Sequence, residues 1–207
     1  MPPRSYTSSV RQAAAAEKRD QVIQAAATVL REGEGVTGFS LDAVARAAGV
    51  TRLTVYNQFG SRQGLLEAVF DWIAQKGGLN RLFAVATEAD PRKGLEQLID
   101  IFCEFWSHDH AIGRLHDAMA LDPEFASALL QRNERRRHLV AALLERMHPG
   151  RAFRAARQDA TDLIFALTGQ RMYQALSEKR SAKACRQLIG SACQDAVERM
   201  LGRHDKT

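Results

Sequence analysis

The polar side chains between Gly49 and Gln63 are of the types that can read nucleic-acid bases. Arg52, Asn57 and Gln58 lie in this stretch, and arginine, asparagine and glutamine can form paired hydrogen bonds with guanine and adenine in the major groove. No acidic residue occurs between Gly49 and Gln63, whereas an ordinary solvated helix would more often carry glutamate. The pattern predicts a surface that approaches DNA.

A second group of side chains could bind a metal ion. Its members are His108, Asp109, His110, His116, Asp117 and Asp122. Clustered histidine and aspartate can hold a divalent metal, and a His-Asp pair is typical of the all-helical HD-type phosphohydrolases. Those enzymes draw their ligands from helices far apart in the sequence, and no matching distant histidine is evident. A metal-dependent phosphohydrolase using the His108–Asp117 cluster is therefore the alternative function. The favoured interpretation is a DNA-binding protein, for which we expect no catalytic residue, metal or cofactor.

Two short helices joined by a tight turn must position the base-reading side chains. The first helix has one apolar stripe, formed by Leu41, Val44, Ala45 and Ala48. Ser40 precedes this stripe as an N-cap, and Gly49 follows it where a left-handed residue can end a helix. Thr51 is the N-cap of the second helix, which Val55 and Phe59 can anchor on the first. Helix, glycine turn and helix match the helix-turn-helix pattern.

The segment 33–66 resembles the DNA-binding domain of the tetracycline-repressor (TetR) family of bacterial transcriptional regulators. The matching signature covers 45–66 and reads A-R-A-A-G-V-T-R-L-T-V-Y-N-Q-F-G-S-R-Q-G-L-L. It contains the Ala-Gly-Val turn, the pair Tyr56 and Phe59, and the basic residue Arg62 at the family's spacings.

The resemblance implies an all-α fold, with an N-terminal three-helix helix-turn-helix domain and a C-terminal helical bundle for ligand binding and dimerisation. It also implies a ligand-responsive repressor that binds a palindromic double-stranded DNA operator as a homodimer and is released by a small-molecule effector. The residues expected at the DNA are Ser40, Thr51, Arg52, Leu53, Thr54, Tyr56, Asn57, Gln58 and Arg62. The family often has glycine where Leu53 stands and lysine where Arg62 stands.

Glycine, proline and serine mark the expected domain boundaries. The predicted regions are a mobile N-terminal arm at 1–16, a DNA-binding domain at 17–62, a connecting helix and linker at 63–89, and the helical ligand-binding and dimerisation domain at 90–207. The arm is poor in large apolar residues, and Asp90 followed by Pro91 is a helix-start signal.

The remainder of the chain has helical periodicity without a strand signal. Within 122–147, the basic residues Arg132 and Arg135 to Arg137 interrupt the apolar pattern, and we expect them to form a solvated face. Two further long helices are predicted at 155–176 and 181–201.

Aromatic and sulfur side chains of the C-terminal region are candidates for an effector cavity, because such cavities are mostly apolar. This assignment, which follows from the resemblance, comprises Phe102, Phe105, Trp106, Met119, Phe165, Met172 and Tyr173. The family pairs through its last two long helices, so the expected dimer interface comprises Leu163, Leu167, Leu188, Ile189, Ala192 and Ala196.

Composition agrees with a DNA-binding protein without requiring one. The net charge of +5 and the isoelectric point near 9.4 favour an acidic partner. The three cysteines have no metal-ligand spacing, and no signal peptide or membrane-length apolar run is visible. We therefore expect buried reduced thiols, no membrane partner and a cytoplasmic location.

Overall fold

The computed structural model describes residues 5–32, 38–109 and 111–202, with side chains from residue 11 onward. These ranges contain helices and no strand, which confirms the predicted all-α class. The helices are α1 (Ser5–Glu32), α2 (Leu41–Ala48), α3 (Arg52–Phe59), α4 (Arg62–Lys76), α5 (Leu82–Thr87), α6 (Pro91–His108), α7 (Ala111–Ala118), α8 (Pro123–Met147), α9 (Arg154–Leu167), α10 (Gln170–Ser177) and α11 (Ala182–Gly202). Within the same ranges, none of them has the length and apolar character needed to cross a bilayer.

Contacts between residues divide the chain into two compact units. The first comprises the described residues of Met1–Ile73 and His110–Ala128, and the second those of Ala74–Asp109 and Leu129–Thr207. Helices α4 and α8 contribute residues to both units. The first unit therefore includes α7, in addition to the N-terminal helices expected to bind DNA.

The first unit has an apolar core to which every one of its longer helices contributes. Its fully buried side chains include Val22, Ala26, Leu30, Val44, Val55, Leu65, Leu66, Ile73, Ile112, Leu115 and Phe125. Val55 is the buried residue of α3, so this short helix rests on the core through one side and leaves the others outside.

Helix α1 begins at Ser5, whereas the sequence predicted a mobile arm as far as residue 16. Residues 11–20 are all exposed, so burial does not account for the longer helix. The run Ala13 to Ala16 provides an alternative reason, because alanine has the highest intrinsic helix propensity. The first four residues of the predicted arm lie outside the described part of the chain.

The second unit is built around α6, α8, α9 and α11. Its buried side chains include Leu98, Phe102, Phe105, Val140, Leu143, Leu144, Ile164, Ile189, Val197 and Met200. One charged side chain, that of Arg136, is also buried here with 6% of its surface exposed. The expectation that the basic cluster of α8 is a solvated face is therefore wrong for Arg136.

The long helix predicted at 155–176 is two helices, α9 and α10. The chain leaves the helical conformation at Gly169, whose φ and ψ are −80° and 156°. Thr168 precedes this break, and its hydroxyl donates to the carbonyl of Ile164 at 2.8 Å. The carbonyl of Thr168 accepts hydrogen bonds from two side chains of the second unit instead of continuing a helical ladder.

Candidate nucleic-acid interface

Helix α2 begins and ends at the residues that the sequence indicates. The Ser40 hydroxyl accepts a hydrogen bond from the Ala43 amide at 3.1 Å, which makes Ser40 the N-cap. Gly49 ends the helix with a φ of 65°, a left-handed conformation that glycine adopts without steric cost. The turn between the two helices is therefore short and defined.

Helix α3 starts immediately after this turn. The Thr51 hydroxyl accepts from the Thr54 amide at 3.1 Å, and the hydroxyls of Thr51 and Thr54 lie 2.9 Å apart. Both threonine hydroxyls therefore have partners at the start of the helix. A DNA phosphate could be reached from this position through the helix N-terminus, where amides and the helix dipole favour an anion.

The outward surface of α3 holds most of the predicted base-reading residues. Arg52, Leu53, Tyr56 and Asn57 are exposed, and Thr54 is half-buried. Leu53 and Tyr56 expose 66% and 54% of their surfaces, so both side chains are available to a partner.

Among the residues that the structure describes, Arg52 has one weak interaction. Its Nε lies 3.5 Å from a carboxylate oxygen of Asp42, and both side chains are more than half exposed. Exposed pairs of this kind contribute about 0–1 kcal/mol, so Arg52 can leave Asp42 for a base at little cost.

Gln58 lies differently from its neighbours on α3. Its side chain is half-buried, and its Oε1 is buried without a hydrogen-bond donor among the described residues. Gln58 would therefore have to rotate outward to contact a base.

The end of α3 is fixed by Arg19 of α1, which sequence analysis did not identify. Arg19 donates from Nη1 to the Gln58 carbonyl at 2.9 Å, and its guanidinium lies 4.3 Å from the ring centroid of Phe59. A cation suits this position because the carbonyls at a helix C-terminus carry partial negative charge. Arg19 lies within a long helix of ordinary charged residues, so its sequence gave no signal of this contact.

Arg62, predicted to contact a phosphate, donates hydrogen bonds to acceptors inside the first unit. Its Nε donates to the Phe39 carbonyl at 3.1 Å, and its Nη1 to Oδ2 of Asp122 at 3.1 Å. The Arg62 side chain is 28% exposed.

Two of the side chains considered as a metal site, His116 and Asp122, have structural partners. A ring nitrogen of His116 lies 3.0 Å from the Ile112 carbonyl oxygen. Asp122 accepts from the Phe125 amide at 3.0 Å and pairs with Arg62, so it caps α8. Among the described residues, which omit His110, no three acidic, histidine or cysteine side chains are grouped as metal ligands. The phosphohydrolase alternative is not supported.

Most of the predicted effector residues lie in the second unit. Phe102 and Trp106 stack with ring centroids 5.8 Å apart, and the rings of Phe105 and Trp106 are 4.7 Å apart. Phe105 and Tyr173 are buried, Phe165 is half-buried and Met172 is exposed. Met119 belongs to the first unit.

Arg136 lies among these aromatic side chains, and sequence analysis did not select it. Its guanidinium is 5.0 Å from the ring centroid of Phe102 and 4.4 Å from that of Phe165. A signal was present, because Arg136 follows Leu129 by seven residues and precedes Val140 by four. This spacing places it on the apolar stripe of α8.

The predicted dimer residues fall into two groups on α9 and α11. Leu163 and Leu188 expose 38% and 41% of their surfaces, whereas Ile189 and Ala196 are buried in the core of the same unit. Leu163, Leu167 and Ala192 line a groove of about 850 Å³, with Asp195, Glu198, Arg199 and Gly202. The groove is therefore apolar along one part and charged along another.

Comparisons with known proteins agree with this arrangement. Residues 22–69 match the family described as bacterial regulatory proteins, tetR family. The nucleoid occlusion factor SlmA of Aliivibrio fischeri strain MJ11 is 25% identical over 132 residues, which are 63% of this chain and 62% of that protein. The chain thus spans less than two thirds of that relative. The HTH-type transcriptional regulator CymR of Pseudomonas putida is 29% identical over 172 residues, 81% of this chain and 80% of CymR.

The fold itself is shared with solved structures. The crystal structure of a transcriptional regulator from Rhodococcus sp. Rha1 superposes with a TM-score of 0.63 at 19% identity, covering 91% of this chain and 98% of that one. The shared fold therefore extends beyond the first 70 residues and covers 91% of this chain.

Proposed function

We propose that the chain is a member of the tetR family of bacterial regulatory proteins, which its residues 22–69 match, and that it is a sequence-specific transcriptional repressor. It binds a palindromic double-stranded DNA operator as a homodimer, and a small-molecule effector releases it. The proposed location is the cytoplasm, and the proposed activity is regulatory and not enzymatic.

The observation that carries this proposal is the outward surface of α3. Val55 is buried on the core of the first unit while Arg52, Tyr56 and Asn57 are exposed. Arginine and asparagine are the side chains best suited to read guanine and adenine in the major groove. We assign base reading to Arg52 and Asn57, with Leu53, Thr54 and Tyr56 packing beside the base edges.

The start of α3 and the start of α4 supply the phosphate contacts. Thr51 and Ser61 each cap a helix by accepting a hydrogen bond from an amide three residues later. Amides and the positive dipole end at such termini favour a phosphate. Ser40 at the start of α2 and Arg62 in the first turn of α4 complete the proposed set.

Effector release requires that the effector binds the DNA-free state more tightly than the DNA-bound state. Couplings between two ligand sites are commonly about 1–3 kcal/mol, or roughly 5- to 150-fold in affinity. We place the effector in the second unit, among the aromatic side chains near Trp106.

Selection of bound sequences from random DNA tests the function and provides the operator for quantitative binding. We expect Arg52→Ala to weaken operator binding by about 1–3 kcal/mol if Arg52 reads a base. Binding to random DNA should then be nearly unchanged, because random DNA is bound through its phosphates. The matched control is Arg180→Ala, which removes the same charge from an exposed position of the second unit.

Two results would contradict parts of this assignment. Equal losses on operator and random DNA would make Arg52 a phosphate contact. Absence of any salt-dependent DNA binding by the wild-type chain would refute the proposed function as a whole.

A further inference from the structure

A buried cation lies among the aromatic side chains of the second unit. Arg136 exposes 6% of its surface. Its Nη1 donates to the Thr168 carbonyl at 2.6 Å, and its guanidinium carbon lies near the ring centroids of Phe102 and Phe165. Trp106 donates from Nε1 to the same carbonyl at 2.9 Å, so the indole and the guanidinium converge on one point of the backbone.

The charge of Arg136 is not balanced by an acid. Among the described residues, Arg136 makes no ion pair, and its Nε is buried without an acceptor. The acidic residue nearest in sequence, Glu134, is exposed and pairs with Arg137 at 3.3 Å. Burial lowers the pKa of Arg136 to about 10, which still leaves the side chain charged at neutral pH.

An unpaired buried charge is costly, and native proteins almost always pair it. Two aromatic faces and one carbonyl offset part of this cost. They leave one edge of the guanidinium, which includes Nε, without an acceptor. A guanidinium edge is well suited to bind the two oxygens of a carboxylate.

The first turn of α10 provides a second, independent feature that attracts an anion. Gly169 occupies the N-cap position and supplies no side-chain hydrogen bond to the amides that follow. A methyl group added at Gly169 would lie 3.7 Å from Nη2 of Arg136. The uncapped helix terminus, whose dipole end is equivalent to about half a positive charge, is therefore beside the guanidinium.

We propose that Arg136 and the first turn of α10 bind the carboxylate of the effector, and that the effector is a small monocarboxylic acid with an aromatic or aliphatic body. One guanidinium and one helix terminus suit a single negative charge, whereas a dianion such as phosphate would leave excess negative charge buried. Phe102, Trp106 and Phe165 provide the apolar contacts for the body of the acid. This inference rests on the proposed function only in calling the acid an effector.

Thermal unfolding of the purified full-length chain tests the binding chemistry without DNA. The probes are benzoate, phenylacetate and decanoate, each compared with its uncharged primary amide, and inorganic phosphate. We expect at least one acid to raise the melting temperature saturably, with the matching amide binding at least about tenfold more weakly. Titration calorimetry of the acid and amide then gives the two dissociation constants.

The matched variants are Arg136→Met and Arg135→Met. Both remove one positive charge from adjacent positions of α8, but Arg135 is exposed. We expect Arg136→Met to weaken binding of the acid by at least about tenfold and Arg135→Met to leave it within about twofold. Circular dichroism checks that both variants are folded, and the acid–amide comparison needs no variant.

The inference is overturned by any of four results: no acid of the panel shifts the melting temperature, acid and amide bind alike, folded Arg136→Met binds the acid as the wild type does, or phosphate alone binds. A separate assay adds the acid to the complex with selected DNA. Acid binding without DNA binding would refute the proposed function and support the carboxylate site. DNA binding without acid binding would support the proposed function and refute the carboxylate site.

Discussion

At the scale of single residues, Arg19 shows how a side chain outside the helix-turn-helix can control its geometry. It contacts α3 at the Gln58 carbonyl and at the Phe59 ring. Both contacts lie at the C-terminal end of a helix of eight residues, which is too short to be stable alone. We infer that Arg19 positions α3 without itself touching DNA.

Replacement of Arg19 by methionine tests this role. A hydrogen bond is worth about 0.5–1.5 kcal/mol and an exposed cation–π contact about 0.5–1 kcal/mol, so Arg19→Met should lower the free energy of unfolding by about 1–2.5 kcal/mol. Urea denaturation followed by circular dichroism measures the change. Lys18→Met, at the adjacent exposed position of α1, is the control, and an equal loss in both variants would contradict the positioning role.

The cysteines provide a second prediction at the residue scale. All three are buried and unpaired by disulfides. Burial raises the pKa of Cys103 and of Cys193 from 9.0 to about 12. Because the thiolate is the reactive form, both thiols should resist an aromatic disulfide reagent at neutral pH in the folded protein and react once it is unfolded in urea.

The same pKa shifts imply a loss of stability at high pH. Between pH 9.0 and about 12 the unfolded chain releases thiol protons that the folded chain retains, so the free energy of unfolding falls as pH rises. Well below pH 9.0, where the thiols are protonated in both the folded and the unfolded chain, they contribute no pH dependence. The double variant Cys103→Ala/Cys193→Ala should therefore lose less stability than the wild type between about pH 8 and about pH 10, as measured by urea denaturation; equal losses would contradict the prediction.

At the scale of helices, the helix termini were the features that the sequence predicted most directly. Ser40 and Thr51 begin helices, as their side chains predict, and Gly49 ends a helix, as its backbone freedom predicts. These positions could be predicted because a helix cap depends only on neighbouring residues. Asp90 likewise caps α6 by accepting from the Arg92 amide at 2.9 Å. Local chemistry therefore predicted the elements that carry the proposed DNA-reading surface.

Features that depend on contacts between residues far apart in the sequence could not be predicted in the same way. The division of the predicted 155–176 helix occurs where Trp106 and Arg136 donate to the Thr168 carbonyl, and neither donor is a sequence neighbour of Thr168. The position of Arg136 on the apolar stripe of α8 indicates burial, but the rings of Phe102 and Phe165 that its guanidinium faces are distant in the sequence. Both findings concern the proposed effector region, and this explains why the sequence predicted this part of the candidate site incompletely.

The ion pair between Arg62 and Asp122 yields a prediction about helix positioning. It joins the first turn of α4 to the N-cap of α8 within the first unit, and the two side chains are 28% and 15% exposed. A double-mutant cycle with Arg62→Met and Asp122→Asn should give a coupling of about 1–2 kcal/mol, above the 0–1 kcal/mol typical of exposed pairs. Asparagine retains an oxygen that can cap α8, so the cycle isolates the pair from the cap.

Equilibrium unfolding in urea measures the four corners of this cycle. The exposed pair of Arg52 and Asp42 serves as the comparison, with Arg52→Met and Asp42→Asn. A coupling for Arg62 and Asp122 no larger than that of the exposed pair would show that the contact does not fix α4.

At the scale of the whole molecule, the second unit has an apolar surface on α9 and α11 that its own core does not cover. Leu163 and Leu188 each expose more than a third of their surface. Leu163 also lines the groove that includes Leu167 and Ala192. Exposed apolar patches of this kind often mark protein–protein contacts. We propose that a second copy of the chain covers this surface, since a palindromic operator requires two reading helices about one DNA turn apart.

Charge placed in this surface should separate the two copies. An arginine at position 163 would be desolvated against apolar side chains in the dimer but remain hydrated in the monomer, so Leu163→Arg should shift the species in light scattering from twice 23.0 kDa to 23.0 kDa. Leu130→Arg on α8, where the leucine is 56% exposed, introduces the same side chain outside the surface and should leave the dimer intact. Because each monomer retains its own α3, Leu163→Arg should bind a half-operator like the wild type and lose the additional affinity for the full palindrome. A folded Leu163→Arg variant that remains dimeric would place the pairing surface elsewhere, and dissociation of both variants would remove the argument that α9 and α11 form it.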